Sequence, residues 1–181
     1  GYGAIWFNTG SISGTNYAIT GASGDASVYF NADSGGAINL RIANATISSQ
    51  SATEFSSIGF IRSTGPTSGI GYATGAGGTV TQITNRTTGV TINKVTGTIT
   101  TDTTSLAVLT AATFTVTNST VAIGDVIAIS VRSGLATVQT HVHVTAVAAG
   151  SFNITVDNES ATTAETGAII INFAVIKAVT S

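Results

Sequence analysis

ATFTVT, Ala112 to Thr117, alternates an apolar or small side chain with a hydroxyl at every step. Successive side chains of a strand point to opposite faces, so Ala112, Phe114 and Val116 share one face and Thr113, Thr115 and Thr117 the other. The same period recurs in DVIAISVR (Asp125–Arg132), which aligns Ile127, Ile129 and Val131. It recurs again in SFNITVD (Ser151–Asp157), which aligns Phe152, Ile154 and Val156. Each run reads as a strand with one face on a core and one in water. Turn signals such as RSG, AAG and TTGV separate the runs at the spacing of a sandwich or barrel, and about eight candidate strands lie between Gly78 and Val179.

The closing run GAIIINFAVIKA (Gly167–Ala178) departs from strict alternation. Ile169, Ile171, Phe173 and Val175 fall on one face, and Ile170, Ala174 and Ile176 on the other, interrupted by Asn172. A strand apolar on both faces is expected to be covered on both, either as a central strand or at a subunit interface.

Residues 1–77 look different. AIWFN, NYAITGA, ASVYFN and AINLRI are short strand-like runs separated by TGSISG, GASGD and NADSGG. None is long enough to close a stable sheet alone. The expectation is a core shared between chains, with short strands stacked along an axis. STGPTSGIGYATGAGGT (Ser63–Thr79) follows from its glycines as the connector to a second domain, 78–181. The fold class expected is therefore all-β: an interwoven, fibre-like first part followed by a jelly-roll-like β-sandwich, assembled as a homotrimer.

Composition narrows the function. Only 8% of the 181 residues are charged, 43% are hydrophobic, 21 are glycine and one is proline. Disorder needs the opposite balance. The formal net charge is −2 and no lysine–arginine cluster is present, which argues against nucleic acid and anionic membrane surfaces. No apolar stretch reaches the length of a membrane span, so membrane insertion is not expected. With no cysteine, stability must come from packing or assembly. So little charge on so apolar a chain favours burial in an oligomer. The start, GYGAIWFN, lacks methionine and is expected to belong to a fragment or processed product.

GIGYATGAGGTVTQITNRTTGVTINKVTGTITT (Gly69–Thr101), with FTVTNSTV, VTAVAAGSFNITVDNES and INFAVIKA, resembles a C-terminal domain of tailed-phage tail fibre, tailspike and other virion structural proteins. The resemblance covers roughly the last 110 residues. GASGDASVYFNADSGGAINLRIAN is similar, more loosely, to fibre-shaft segments. What the resemblance implies is a trimeric fibre or spike tip on the virion, in contact with other virion proteins, that recognises a bacterial surface glycan or outer-membrane receptor. It implies no catalytic motif and no cofactor. Two alternatives are a structural capsid decoration or trimerisation module, and a fragment of a polysaccharide depolymerase.

The candidate sites follow. His141 and His143 share a strand face with Gln139 and Thr145, their Cα atoms about 7 Å apart. Two ligands are too few for a tight metal site. On a threefold axis three chains would supply six nitrogens, suited to octahedral iron or nickel, as some phage fibres hold iron through His-X-His. The polar neighbours favour a solvent-facing pair without metal. Receptor contacts are expected on the loops around RSGLA (Arg132–Ala136) and DNESATTAE (Asp157–Glu165), with Arg132, Leu135, Asp157 and Glu159 as candidates. Glycoside hydrolysis would need two facing carboxylates. Asp25, Asp33, Glu54, Asp157, Glu159 and Glu165 all lie in turn-like stretches and read as solvated acids. A serine triad is excluded by the lack of a nucleophile elbow, and GYATGAGGT is no phosphate loop. Trp6, Tyr17, Tyr29 and Tyr72 are candidates for stacking on sugar rings. Five Asn-X-Ser/Thr sequons, at Asn44, Asn85, Asn118, Asn153 and Asn158, are near chance in so Ser/Thr-rich a chain, and no glycosylation is expected there.

Overall fold

The computed structural model describes residues 19–20, 29–30, 37–42, 45–51, 53–59, 61–62, 64–67 and 69–178. Trp6, Tyr17, Asp25, Asp33 and Asn44, and the expected run at 4–8, lie outside the described residues. Among the described residues every regular element is a strand, and the fold is all-β as expected. It divides into two compact units, 1–70 and 71–181, so the glycine-dense stretch from Gly71 onward belongs to the second.

In the first unit β1 (Ile19–Thr20) pairs antiparallel with β2 (Tyr29–Phe30). Next, β3 (Ile38–Ile42), β4 (Ala45–Gln50) and β5 (Phe55–Ser57) form an antiparallel three-stranded sheet. None of the residues described from 37 to 70 is fully buried. Leu40, Ile42, Phe55, Ile58 and Ile61 are all exposed, and Ile47, Phe55, Ile58 and Ile61 line a shallow apolar depression. Strands β3 to β5 therefore make a hydrogen-bonded ladder with no fully buried side chain among the described residues.

The second unit holds eight strands: β6 (Thr79–Thr81), β7 (Val90–Thr91), β8 (Thr96–Thr100), β9 (Thr110–Thr117), β10 (Val126–Ser133), β11 (Thr140–Ala148), β12 (Ser151–Asn158) and β13 (Ile170–Ile176). They form sheet I, in the order β10–β13–β8–β6, and sheet II, in the order β11–β12–β9–β7. The apolar faces read from the alternation meet in one core. Phe114, Val116, Phe152, Ile154 and Val156 of sheet II, and Ile99, Ile171, Phe173 and Val175 of sheet I, are each at most 2% exposed. Phe152 and Phe173 touch across the layers, ring centroids 5.6 Å apart. Such pairs contribute about 0.5–1.5 kcal/mol beyond area burial.

A jelly roll is antiparallel throughout, whereas here β6 runs parallel to β8 and β7 parallel to β9. The cause is connectivity. From β6 to β11 the chain changes sheet at every turn, so each return to a sheet runs in its earlier direction. The upward strands β6, β8, β10 and β12 therefore all deliver their following loops to one end, here called the tip. Segments 82–89, 101–109, 134–139 and 159–169 lie there. The opposite end, the base, receives the start and finish of the unit. There the Tyr72 hydroxyl donates to the Val175 carbonyl at 2.5 Å, and Lys177 reaches the buried Asp125 carboxylate.

β13 is an inner strand between β10 and β8, which accounts for its buried face at Ile171, Phe173 and Val175. Its other face is only partly covered, and Ile176 is 54% exposed.

Candidate functional site

The tip is organised around two buried charges, Arg86 and Glu165, 3% and 0% exposed. Arg86 sits in the loop between β6 and β7. Its Nε donates to the Thr104 carbonyl at 2.6 Å, and its Nη2 to the carbonyls of Gly167 at 2.9 Å and Glu165 at 3.2 Å. Nη1 reaches the Thr101 hydroxyl at 3.3 Å. Arg86 thereby ties three tip segments together.

Glu165 ties in the fourth. Its carboxylate accepts from the backbone N–H groups of Gly167 at 2.6 Å, Ala136 at 3.0 Å and Thr137 at 3.3 Å, and from the Thr140 hydroxyl at 2.7 Å. The two charges approach only to 4.0 Å, so each is satisfied mainly by backbone dipoles and the ion pair is secondary. Burial pushes the Glu165 carboxyl up, but the Thr140 hydroxyl and the three N–H donors outweigh it and hold the group below the usual carboxylate value. Burial lowers the Arg86 guanidinium, against the opposing pull of Glu165 and Asp102.

The Glu165 finding corrects the sequence reading, which placed this residue among solvated turn acids. Seclusion of its carboxylate is possible because the β10–β11 loop aims two backbone amides at it. Asn158 plays a parallel part, donating to the carbonyls of Leu106, Ala107 and Thr163. Both Asn158 and Asn118 are 0% exposed, so neither sequon is open to a glycan.

Two tip residues other than glycine adopt left-handed backbone, Thr84 (φ 82°) and Leu109 (φ 55°). Each such residue costs about 1–2 kcal/mol. Ile83 and Leu109 project into solvent at 70% and 69% exposure, and Val138 at 92%. Leu135 is exposed in the same loop as Val138. No aromatic residue occurs in the four tip segments.

The two loops proposed for receptor contact do meet at the tip. The Glu159 N–H donates to the Gln139 carbonyl at 3.0 Å, joining the segment after β12 to the loop before β11. Arg132 is exposed near the end of β10, at the bulge where the register shifts between Val131 and Ser133. Asp157 lies on β12 instead of in a loop, directly opposite His141, and is half-buried. His141 Nε2 stands 3.4 Å from Glu159 Oε2, both side chains well exposed. His143 is exposed opposite Thr155. Among the described residues no group of three or more His, Asp or Glu side chains could hold a metal ion.

The remaining acids are dispersed. Glu54 is exposed in the turn between β4 and β5. Asp102 accepts from the hydroxyl and N–H of Thr104, and Asp125 is engaged by the Ala122 N–H and Lys177. Tyr72, half exposed, stands at the base with its hydroxyl committed to Val175. Sequence reasoning missed Arg86. Its signal was an arginine set alone among uncharged residues in ITNRTTGV, in a chain that spends charge sparingly.

Comparison with known protein families, curated proteins and solved structures finds no match to this chain. Among the described residues no helix is long and apolar enough to cross a membrane.

Proposed function

We propose that the protein is a virion fibre or spike tip of a tailed phage, a homotrimer that attaches to a bacterial surface glycan or receptor without catalysis. One observation carries the reading. Four loops from distant parts of the sequence gather at one end of a β-sandwich and are fixed there by the buried Arg86 and Glu165. A rigid scaffold that presents loops at a single end is a common arrangement for recognition. Trimeric display turns weak single contacts into firm attachment. The exposed apolar side chains among the described residues of the first unit support assembly.

The same exposed side chains also favour a second reading, an assembly module of the virion that trimerises and touches no host. Solution mass, followed by binding of the isolated assembly to bacterial cells and to a glycan array, distinguishes the two. The adhesion reading expects a trimer that binds. A trimer that binds neither cells nor glycans supports the assembly module. Oligosaccharides released from capsular polysaccharide would overturn both in favour of a depolymerase.

A further inference from the structure

The two outer faces of the sandwich differ in charge. Sheet II carries His141 and His143 on β11 and Asp157 on β12. In sheet I the only charged residue of any strand is Arg132, at the bulge near the tip. Its outer face is built from uncharged pairs across β10 and β13: Val126 with Ile176, Ala128 with Ala174, and Ser130 with Asn172. The threonines of β8 and β6 continue the rows. Val126 and Ile176 are each 54% exposed. Depletion of charge distinguishes the centre of an interface from ordinary surface.

Two of the threonine hydroxyls on this face already have partners. Thr98 Oγ1 donates to Asn172 Oδ1 at 3.1 Å, and Thr96 Oγ1 to the Phe173 carbonyl at 2.7 Å. Covering those two hydroxyls therefore strands neither of them.

The adjoining edge tells the same story. Edge strands are normally blunted by charge, proline, a bulge or shortness. β6 and β7 are three and two residues long, and β11 has histidines and a mid-strand bulge between Val144 and Ala146. From Val126 to Val131, β10 has none of these devices.

We propose that the outer face of sheet I, together with the β10 edge, packs against a second copy of this chain. This rests on the homo-oligomeric reading above and names the surface that serves it. Two copies of the face meet without stranding a charge, whereas a charged partner would lose its hydration there. The face measures roughly 19 by 23 Å from strand spacing and rise. That footprint is about half of the ~800 Å² per partner in a standard interface, a size that suits a concentration-dependent contact.

The test is sedimentation equilibrium of the full chain from about 1 to about 100 µM, alongside hydrogen exchange of β10. Ala128→Lys and Ser130→Lys, both at exposed positions, are expected to weaken association at least about tenfold, with circular dichroism unchanged. Ala148→Lys, exposed on β11, is expected to assemble as the wild type does. In the wild type, exchange of the Val126–Val131 amides should slow as concentration rises through assembly. Concentration-independent exchange, or lysine variants that assemble normally, would overturn the proposal and leave the oligomer standing on other surfaces. A wild-type monomer at the highest concentration would overturn the oligomeric reading with it. If a lysine variant fails to fold, the wild-type exchange decides the matter.

Discussion

Gly134 and Gly167 approach so closely that neither has room for a β-carbon. A Cβ on Gly167 would fall against the Gly134 carbonyl oxygen, and one on Gly134 against the Ala168 carbonyl oxygen. Gly134 also has φ of +93°. This backbone contact lets the β10–β11 loop close over Glu165.

Gly167→Ala should therefore destabilise the sandwich by about 3 kcal/mol or more, since backbone on both sides has to move. Gly150→Ala supplies the control. That glycine has φ of +79° with no atom near the missing Cβ, so only conformational strain of about 1 kcal/mol is expected. Urea denaturation of the two variants measures the difference. Equal losses would mean the close approach is not a constraint.

Glu165→Gln should cost about 3 kcal/mol in the same measurement. The amide keeps the shape but loses the charge, and its NH2 group faces N–H donors that the carboxylate accepted from. Arg86→Met should cost less, because four donors still hold the Glu165 carboxylate when the guanidinium is gone. A double-mutant cycle should return a coupling smaller than either single loss, in keeping with the 4.0 Å separation. A coupling as large as the single losses would place the energy in the ion pair instead of the backbone dipoles.

The core was legible in the sequence and the tip was not, for a physical reason. Alternation states which face of a strand is apolar, and Phe114, Ile154 and Phe173 all point where the pattern sends them. The pattern weakens at Val131, which is 37% exposed where the bulge bends β10 away. Alternation does not state which strand pairs with which. The short parallel edges β6 and β7 depend on contacts across the sandwich, and threonine-rich triplets such as Thr79–Thr81 carry no mark of that partnership. Glu165 and Arg86 are buried by backbone atoms from distant loops, so nothing local identifies them. The loops themselves were found because turn residues mark them, and their meeting at one end follows from the sheet switching.

Acid should unfold the second unit progressively. Asp102 is held low by the Thr104 hydroxyl and N–H, Asp125 by the Ala122 N–H and then Lys177, and Glu165 by its donors in spite of burial. All three folded-state values lie below the unfolded ones, so in acid the unfolded chain binds more protons. Their contribution is complete above the unfolded values near pH 4 and is lost as pH falls through the folded ones. Urea midpoints at about pH 7 and about pH 3 should differ clearly, and Glu165→Gln should flatten the dependence. A midpoint independent of pH would contradict this.

Val138 separates recognition from stability. At 92% exposure it adds little to folding, and no other hydrophobic side chain described projects further into solvent. It shares its loop with Leu135, and Gln139 beside it accepts the Glu159 N–H that joins the two expected contact loops. An aspartate here changes the tip surface without disturbing the core, so unfolding should stay within about 0.5 kcal/mol of wild type. If the tip meets the receptor, Val138→Asp should reduce cell attachment by about tenfold, or about 1.4 kcal/mol per contact. In a trimer the loss would be amplified, because each of three contacts weakens at once. Attachment unchanged by Val138→Asp and by Leu135→Asp would move the contact surface away from the tip loops.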